Sequence, residues 1–218
     1  MHKLPADSII FDMDGTLWDA VDSYAVIWNV TLDQMGIPHK HVTREDLLLL
    51  MGSYLDEILA KLIPNVEQRG PLLEKVMINE AEMMPTLGGT LYPDVKATIP
   101  LLARDYKLFM VSNCGVRGLE NFVEYNGLQP YFIDLLSHGS TGKSKAENIR
   151  TLIERYDLAS PVYVGDTQSD CNSAHAAGVP FIWTKYGFGK VDDYDASISH
   201  FNELPSVISI LDKSCKNN

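Results

Sequence analysis

Two short acidic clusters stand far apart in this chain: Asp12-Met13-Asp14-Gly15-Thr16-Leu17 and Gly165-Asp166-Thr167-Gln168-Ser169-Asp170. Four carboxylates packed together would repel one another, and a hard divalent cation relieves that repulsion. Mg²⁺ suits the task because it prefers octahedral oxygen ligands, water included. Asp12 and Asp14 would share a face on a strand, but Gly15 signals a turn. One carboxylate can then face the metal and the other look across the crevice, with Asp166 completing the metal site. A phosphate there needs donors, and Thr16, Ser112 and Asn113 offer hydroxyl and amide groups. Lys143 and Lys145 both stand where a lysine could balance the remaining charge. Each motif alone also has a plainer reading. Asp12 to Thr16 could be a turn with a helix cap, Ser112-Asn113 a strand exit, and Gly165-Asp166-Thr167 a loop.

What singles these residues out is the set of elements that must position them. Five apolar runs read as strands: 8–11, 107–111, 131–136, 161–164 and 180–183. Helix-like stretches at 115–125, 145–156 and 169–177 separate the last four, the signature of βαβ units in a parallel sheet. Ligands bind such sheets at the carboxyl ends of the strands. Asp12, Ser112 and Asp166 each follow a strand, so all three converge on one crevice. From about Asp19 to Met84 the pattern is helical only, punctuated by Gly52, Pro64, Gly70-Pro71 and Pro85. This predicts an α/β chain: a Rossmann-like parallel sheet core flanked by helices (1–18 and 86–218). A small all-helical cap (19–85) is inserted after the first strand. Asp94 to Arg104 is expected to be a core helix.

The four motifs, in this order, resemble those of the haloacid dehalogenase superfamily of phosphatases, and the match covers nearly the whole chain. Asp12 to Leu17 is similar to its DxDGTL motif, Ser112-Asn113 to the second and Gly165 to Asp170 to the fourth, GDxxxD. Lys145, in Ser144-Lys145-Ala146-Glu147, fits the third, with Lys143 as the other candidate. The inserted helices resemble the C1 cap of phosphoglycolate phosphatases and β-phosphoglucomutases. The resemblance implies that Asp12 attacks phosphorus and forms an aspartyl-phosphate, while Asp14 protonates the leaving oxygen and later takes a proton from water. It implies Mg²⁺ on the carboxylates of Asp12 and Asp166 and the backbone carbonyl of Asp14. Ser112 and Lys145 would hold phosphoryl oxygens, and Asp170 would orient Lys145 or a metal-bound water. The expected activity is hydrolysis of a small phosphorylated metabolite. A phosphosugar mutase would use the same motifs, and a non-catalytic binding protein could keep the scaffold. The cap is expected to choose the substrate, with Trp18, Asp22, Met51, Gly52 and Tyr54 as candidate contacts. Asp94, where relatives often have glycine, has no assigned part.

Bulk properties narrow the field. With 18 Lys and Arg against 29 Asp and Glu, the net charge is −11, unfavourable for a broad nucleic-acid surface. No apolar run is long enough to cross a bilayer, and the first residues lack the apolar core of a signal peptide. A cytoplasmic, non-membrane protein, monomeric or weakly dimeric, is expected. Cys114, Cys171 and Cys215 form no CxxC and read as reduced thiols. A cysteine phosphatase would need arginine six residues after Cys114, where Glu120 stands. The six histidines (His2, His39, His41, His138, His175 and His200) show no metal-ligand spacing and read as surface or packing residues. Dehalogenation would need neither a metal nor a second acid at Asp14. The run Ser137 to Ser144 nearly spells a phosphate-binding P-loop, but serine stands where that loop needs its first glycine.

Overall fold

The computed structural model describes residues 6–63 and 65–214. His2, Pro64 and Cys215 lie outside them. The chain opens with β1 (Ser8–Phe11) and the short β2 (Trp18–Asp19). Four helices follow: α1 (Val21–Gln34), α2 (Arg44–Leu48), α3 (Leu55–Leu62) and α4 (Val66–Leu87). The short β3 (Thr90–Leu91) leads back to α5 (Val95–Asp105), β4 (Lys107–Ser112), α6 (Gly118–Asn126) and β5 (Asp134–Ser137). Then come α7 (His138–Thr141), α8 (Lys145–Tyr156), β6 (Pro161–Gly165), α9 (Gln168–Ala176), β7 (Phe181–Thr184), β8 (Ala196–Ile198) and α10 (Leu204–Ser214).

Six strands form one sheet in the order β5-β4-β1-β6-β7-β8, and every pairing in it is parallel. Both faces are covered, so the inner strands are apolar without interruption. Successive side chains still point to opposite faces. Ile9 and Phe11 therefore join one core cluster, with Val95, Leu119 and Leu204 from α5, α6 and α10. Ile10 joins another, with Ile149 and Leu152 of α8 and Ala174 of α9. β1 lies at the centre of this sheet, which fixes the position of the residue that follows it. The Asp12 amide extends the ladder, donating to the Val164 carbonyl at 2.9 Å.

Helices α1 to α4 share a third cluster built on Val21, Trp28, Leu32, Leu47, Leu59, Leu72 and Val76. The two chain crossings that join them to the sheet run side by side. β2 pairs antiparallel with β3, Trp18 opposite Leu91 and Asp19 opposite Thr90.

Several boundaries differ from the sequence expectation, each for a local reason. Pro71 and Pro85 do not punctuate the helical segment; both lie inside α4, which runs unbroken to Leu87. An interior proline removes one backbone hydrogen bond, and packing of α4 along α1 and α6 carries the helix past it. The strand expected at 131–136 begins only at Asp134, because Gln129–Tyr131 form a 3₁₀ turn around Pro130. The helix expected from Gly115 begins at Gly118, after a turn in which Arg117 takes a left-handed conformation. No described helix is long and apolar enough to cross a membrane.

Candidate active site

The first acidic cluster is a compact turn at the carboxyl end of β1. The Met13 carbonyl accepts from the amides of Thr16 and Leu17, and Gly15 adopts a positive φ of 80°. A Cβ on Gly15 would collide with the Asp166 carboxylate, so only glycine lets the two loops meet. Gly187, after β7, closes the other side: a Cβ there would strike both Asp166 and the Gly15 carbonyl. Asp166 is thus clamped between two glycines, one of which carried no signal in the sequence.

The second acidic cluster is a helix start. Thr167 caps α9 and accepts from the Asp170 amide, while Asp170 Oδ2 accepts from the Thr167 amide at 2.9 Å and its hydroxyl at 2.7 Å. This reciprocal capping box fixes the Asp170 carboxylate and leaves Oδ1 free to pair with Lys145. Lys145 is positioned in the same way. Ser144 and Glu147 form a capping box that makes Lys145 the first residue of α8. Its Nζ donates to Asp12 Oδ1 at 2.8 Å and to Asp170. Lys143 instead points away, its Nζ donating to the Thr151 hydroxyl at 3.2 Å. The structure therefore brings Lys145, and not Lys143, to the carboxylates.

Charge and burial act strongly on this cluster. Burial raises the Asp12 carboxyl to about 6, against the pull of Lys145. Asp166 is raised by burial and by the neighbouring Asp170 and Asp12. Burial opposes the Lys145 charge, but Asp12 and Asp170 outweigh it and keep the ammonium protonated. Asp14 is turned away from these groups. Its carboxylate accepts from Trp18 Nε1 at 3.0 Å and the Tyr24 hydroxyl at 3.2 Å. Burial and then Asp12 raise it to about 8. The two acids of the first motif thus face different surroundings, as the turn at Gly15 led one to expect.

Asp12, Asp166 and Asp170 can each offer one oxygen within 4.8 Å of the others. Asp170 is already committed through both oxygens. Asp166 Oδ1, in contrast, is buried with no hydrogen-bond partner, while Oδ2 accepts from the Phe188 amide at 2.8 Å. An orphaned buried carboxylate oxygen beside Asp12 is what a divalent cation would satisfy, so the donor set fits Mg²⁺.

These residues open onto a crevice of about 80 Å³ between the strand ends and helices α1 to α4. At about 10–15 Å³ for each water-sized sphere, that admits a small ligand only. Asp12, Asp14, Ser112, Asn113 and Lys145 line it from the sheet side, and Tyr24, Met51, Gly52, Ser53 and Glu80 from the helical side. Asn113 ties the two sides together, donating to the Gly52 carbonyl at 2.9 Å. Its Oδ1 has no partner.

Other candidates fall elsewhere. Thr16 is fully buried, its hydroxyl has no partner, and it does not line the crevice. Trp18 acts through Asp14, Asp22 pairs with Arg44 at 3.1 Å, and Tyr54 packs on His138. Asp94 takes a left-handed conformation before α5 and accepts from Asn202, outside the crevice. The near-P-loop is a four-residue helix capped by Ser137, and Gly139 is required by close packing on Gly115 and Val116. Cys171, His175 and Asp195 form a chain of contacts like a nucleophile, base and orienting acid. Cys171 is fully buried, its thiol donates to the Asp193 carbonyl, and burial pushes it up to about 11, so it stays protonated. Cys114 is likewise raised by burial.

Sequence reasoning missed Tyr24, Ser53 and Glu80. None belongs to a short motif, and Tyr24 and Glu80 reach the crevice because α1 and α4 pack over the sheet.

Residues 9–184 match the family described as haloacid dehalogenase-like hydrolase. The phosphoglycolate phosphatase of Aliivibrio fischeri is 28% identical over 194 residues, covering 83% of this chain and 84% of that protein. The phosphoglycolate phosphatase of Vibrio parahaemolyticus is 24% identical, covering 93% and 96%. Among solved structures, a haloacid dehalogenase-like family hydrolase from Streptococcus pneumoniae superposes with a TM-score of 0.82 at 18% identity, covering 94% of this chain and 99% of that one. A Haemophilus somnus protein described as a predicted phosphoglycolate phosphatase gives 0.81 at 21% identity, covering 92% and 97%. At these identities the structural matches speak to fold alone.

Proposed function

Because the chain belongs to the haloacid dehalogenase-like hydrolases, we propose that it is a Mg²⁺-dependent phosphatase that hydrolyses a small phosphorylated metabolite through an aspartyl-phosphate on Asp12. The observation that carries this reading is the arrangement of three acids around one lysine. Lys145 bridges Asp12 and Asp170, while the orphaned Asp166 oxygen lies within the same cluster. The curated relatives bear the name phosphoglycolate phosphatase, which supports phosphomonoester hydrolysis as the reaction class.

Asp12 and Asp166, with the Asp14 backbone carbonyl, would hold the metal, which when bound supplies positive charge against the phosphoryl oxygens and the carboxylates. Ser112 and Lys145 orient the phosphoryl group, and Asn113 holds the Gly52 loop across it. Asp12 attacks phosphorus: a carboxylate O–P bond forms and the ester P–O bond breaks. Asp14, raised to about 8 by burial, holds a proton near neutral pH and gives it to the departing oxygen. Water then attacks the aspartyl-phosphate while Asp14 takes its proton, releasing phosphate and restoring Asp12. Asp170 acts through Lys145, as a positioning residue.

The test is hydrolysis of p-nitrophenyl phosphate. EDTA is expected to remove activity and added Mg²⁺ to restore it. Full activity in a rigorously metal-free sample would contradict the assignment.

A further inference from the structure

The helical side of the crevice carries a carboxylate that the proposed chemistry does not use. Glu80, on α4, lines the crevice together with Tyr24 and Ser53. It stands over the turn that follows β4: a Cβ placed on Gly115 would lie 3.3 Å from Glu80 Oε2. No described residue donates a hydrogen bond or an ion pair to it. Among the described lining residues Lys145 is the one cation, and Asp12 and Asp170 already hold it. Arg44, on the neighbouring α2, is engaged with Asp19 and Asp22 and does not line the crevice.

A phosphate ester seated on Asp12 directs its leaving group toward this helical side. A leaving group carrying a carboxylate would meet Glu80 with no free side-chain cation to receive it. Like charges placed together in a water-poor site are strongly disfavoured. A hydroxyl, in contrast, can donate to the Glu80 carboxylate and accept from Ser53. We propose that Glu80 is a specificity-determining residue that selects phosphate esters of uncharged, hydroxyl-bearing alcohols and rejects esters whose leaving group bears a carboxylate. The proposal rests on the phosphatase reading and deepens it. It separates this chain's substrate class from the one in its relatives' names. Burial raises Glu80 to about 7, so its repulsion of a carboxylate is strongest above that pH, and below it the pull on a cationic leaving group fades as well.

The experiment compares kcat/KM for glycerol 3-phosphate, phosphoglycolate and phosphoethanolamine with Mg²⁺, with p-nitrophenyl phosphate alongside. In the wild-type protein glycerol 3-phosphate is expected to exceed phosphoglycolate by at least about tenfold and to match or exceed phosphoethanolamine. Glu80→Gln is expected to shrink the ratio of glycerol 3-phosphate to phosphoglycolate by at least about threefold, mainly through a lower KM for phosphoglycolate. A ratio within one preparation is insensitive to the fraction of variant that folds, and the wild-type ranking needs no variant. Turnover of p-nitrophenyl phosphate with phosphoglycolate or phosphoethanolamine as the best natural ester overturns the inference and leaves the phosphatase reading standing. An unchanged ratio in Glu80→Gln overturns it as well. Mg²⁺-dependent hydrolysis of none of the four esters removes the phosphatase reading and the inference with it.

Discussion

Replacing Asp170 with asparagine tests how the buried charges hold one another. The carboxylate takes four hydrogen bonds: Oδ2 accepts from the amides of Asp166 and Thr167 and from the Thr167 hydroxyl, and Oδ1 accepts from Lys145. Asparagine has one acceptor oxygen. Whichever way it turns, an NH₂ group faces either the helix-cap donors or the Lys145 ammonium. Removing one partner of a buried ion pair typically costs about 3–5 kcal/mol, because the other charge is left uncompensated. Lys145 keeps Asp12 at 2.8 Å, so a loss near the lower end, about 3 kcal/mol, is expected. Urea unfolding with EDTA present, analysed by linear extrapolation, measures it. Adding Lys145→Met should recover part of the loss, since no uncompensated ammonium then remains. The coupling energy in the double-mutant cycle should exceed about 1 kcal/mol. A loss under about 1 kcal/mol for Asp170→Asn, or strict additivity with Lys145→Met, would refute the reasoning.

Three further outcomes follow from other parts of the site. Gly187→Ala should destabilise the protein by about 1–3 kcal/mol through overpacking against Asp166 and the Gly15 carbonyl. It should also weaken Mg²⁺ binding measured by calorimetry; unchanged stability and affinity would show that the clamp does not matter. Glu80 has a folded-state value of about 7 against 4.5. The folded protein therefore holds this proton more tightly, and stability is lost as pH rises from about 5 to 8. At about 1.36 kcal/mol per pH unit the change is at most about 3 kcal/mol. Glu80→Gln should flatten that part of a stability profile taken in EDTA, and parallel profiles would contradict the assignment. Asp14→Asn should slow formation of the aspartyl-phosphate far more for an alkyl phosphate than for p-nitrophenyl phosphate, because general-acid help is worth about 10²–10⁴-fold and matters most for a basic leaving group. Single-turnover rates slowed equally for both esters would require a different proton donor.

The sheet, its crevice and most of the charged groups were legible because they follow from local signals. Apolar runs ending in Asp12, Ser112 and Gly165-Asp166 set strand ends, and parallel topology brings strand ends together. Ser144-x-x-Glu147 and Thr167-x-x-Asp170 are capping boxes, and they decided where α8 and α9 begin and so where Lys145 and Asp170 point. The choice between Lys143 and Lys145 could have been made on that ground. Other features had no local signal. β2, β3 and β8 span two or three residues each, too few for periodicity to register. Glu80 and Tyr24 sit on helices whose sequences specify an apolar stripe but not what the rest of the surface will face. Gly187 is read as a site residue only once the β7 loop is seen against Asp166. Thr16 misled because its place in a motif suggested a ligand contact, whereas the turn after Asp12 buries its side chain away from the crevice.

The central claim is that Asp12 becomes phosphorylated during turnover. The direct measurement is acid quenching of the Mg²⁺-loaded protein during hydrolysis of p-nitrophenyl phosphate, followed by peptide mapping of the trapped adduct. The account predicts phosphate on the peptide containing Asp12, none in Asp12→Asn, and a fall in kcat/KM for that variant of more than about a hundredfold, equivalent to about 2.7 kcal/mol. An adduct on another residue, or an Asp12→Asn protein that keeps more than about a hundredth of wild-type activity, would contradict it.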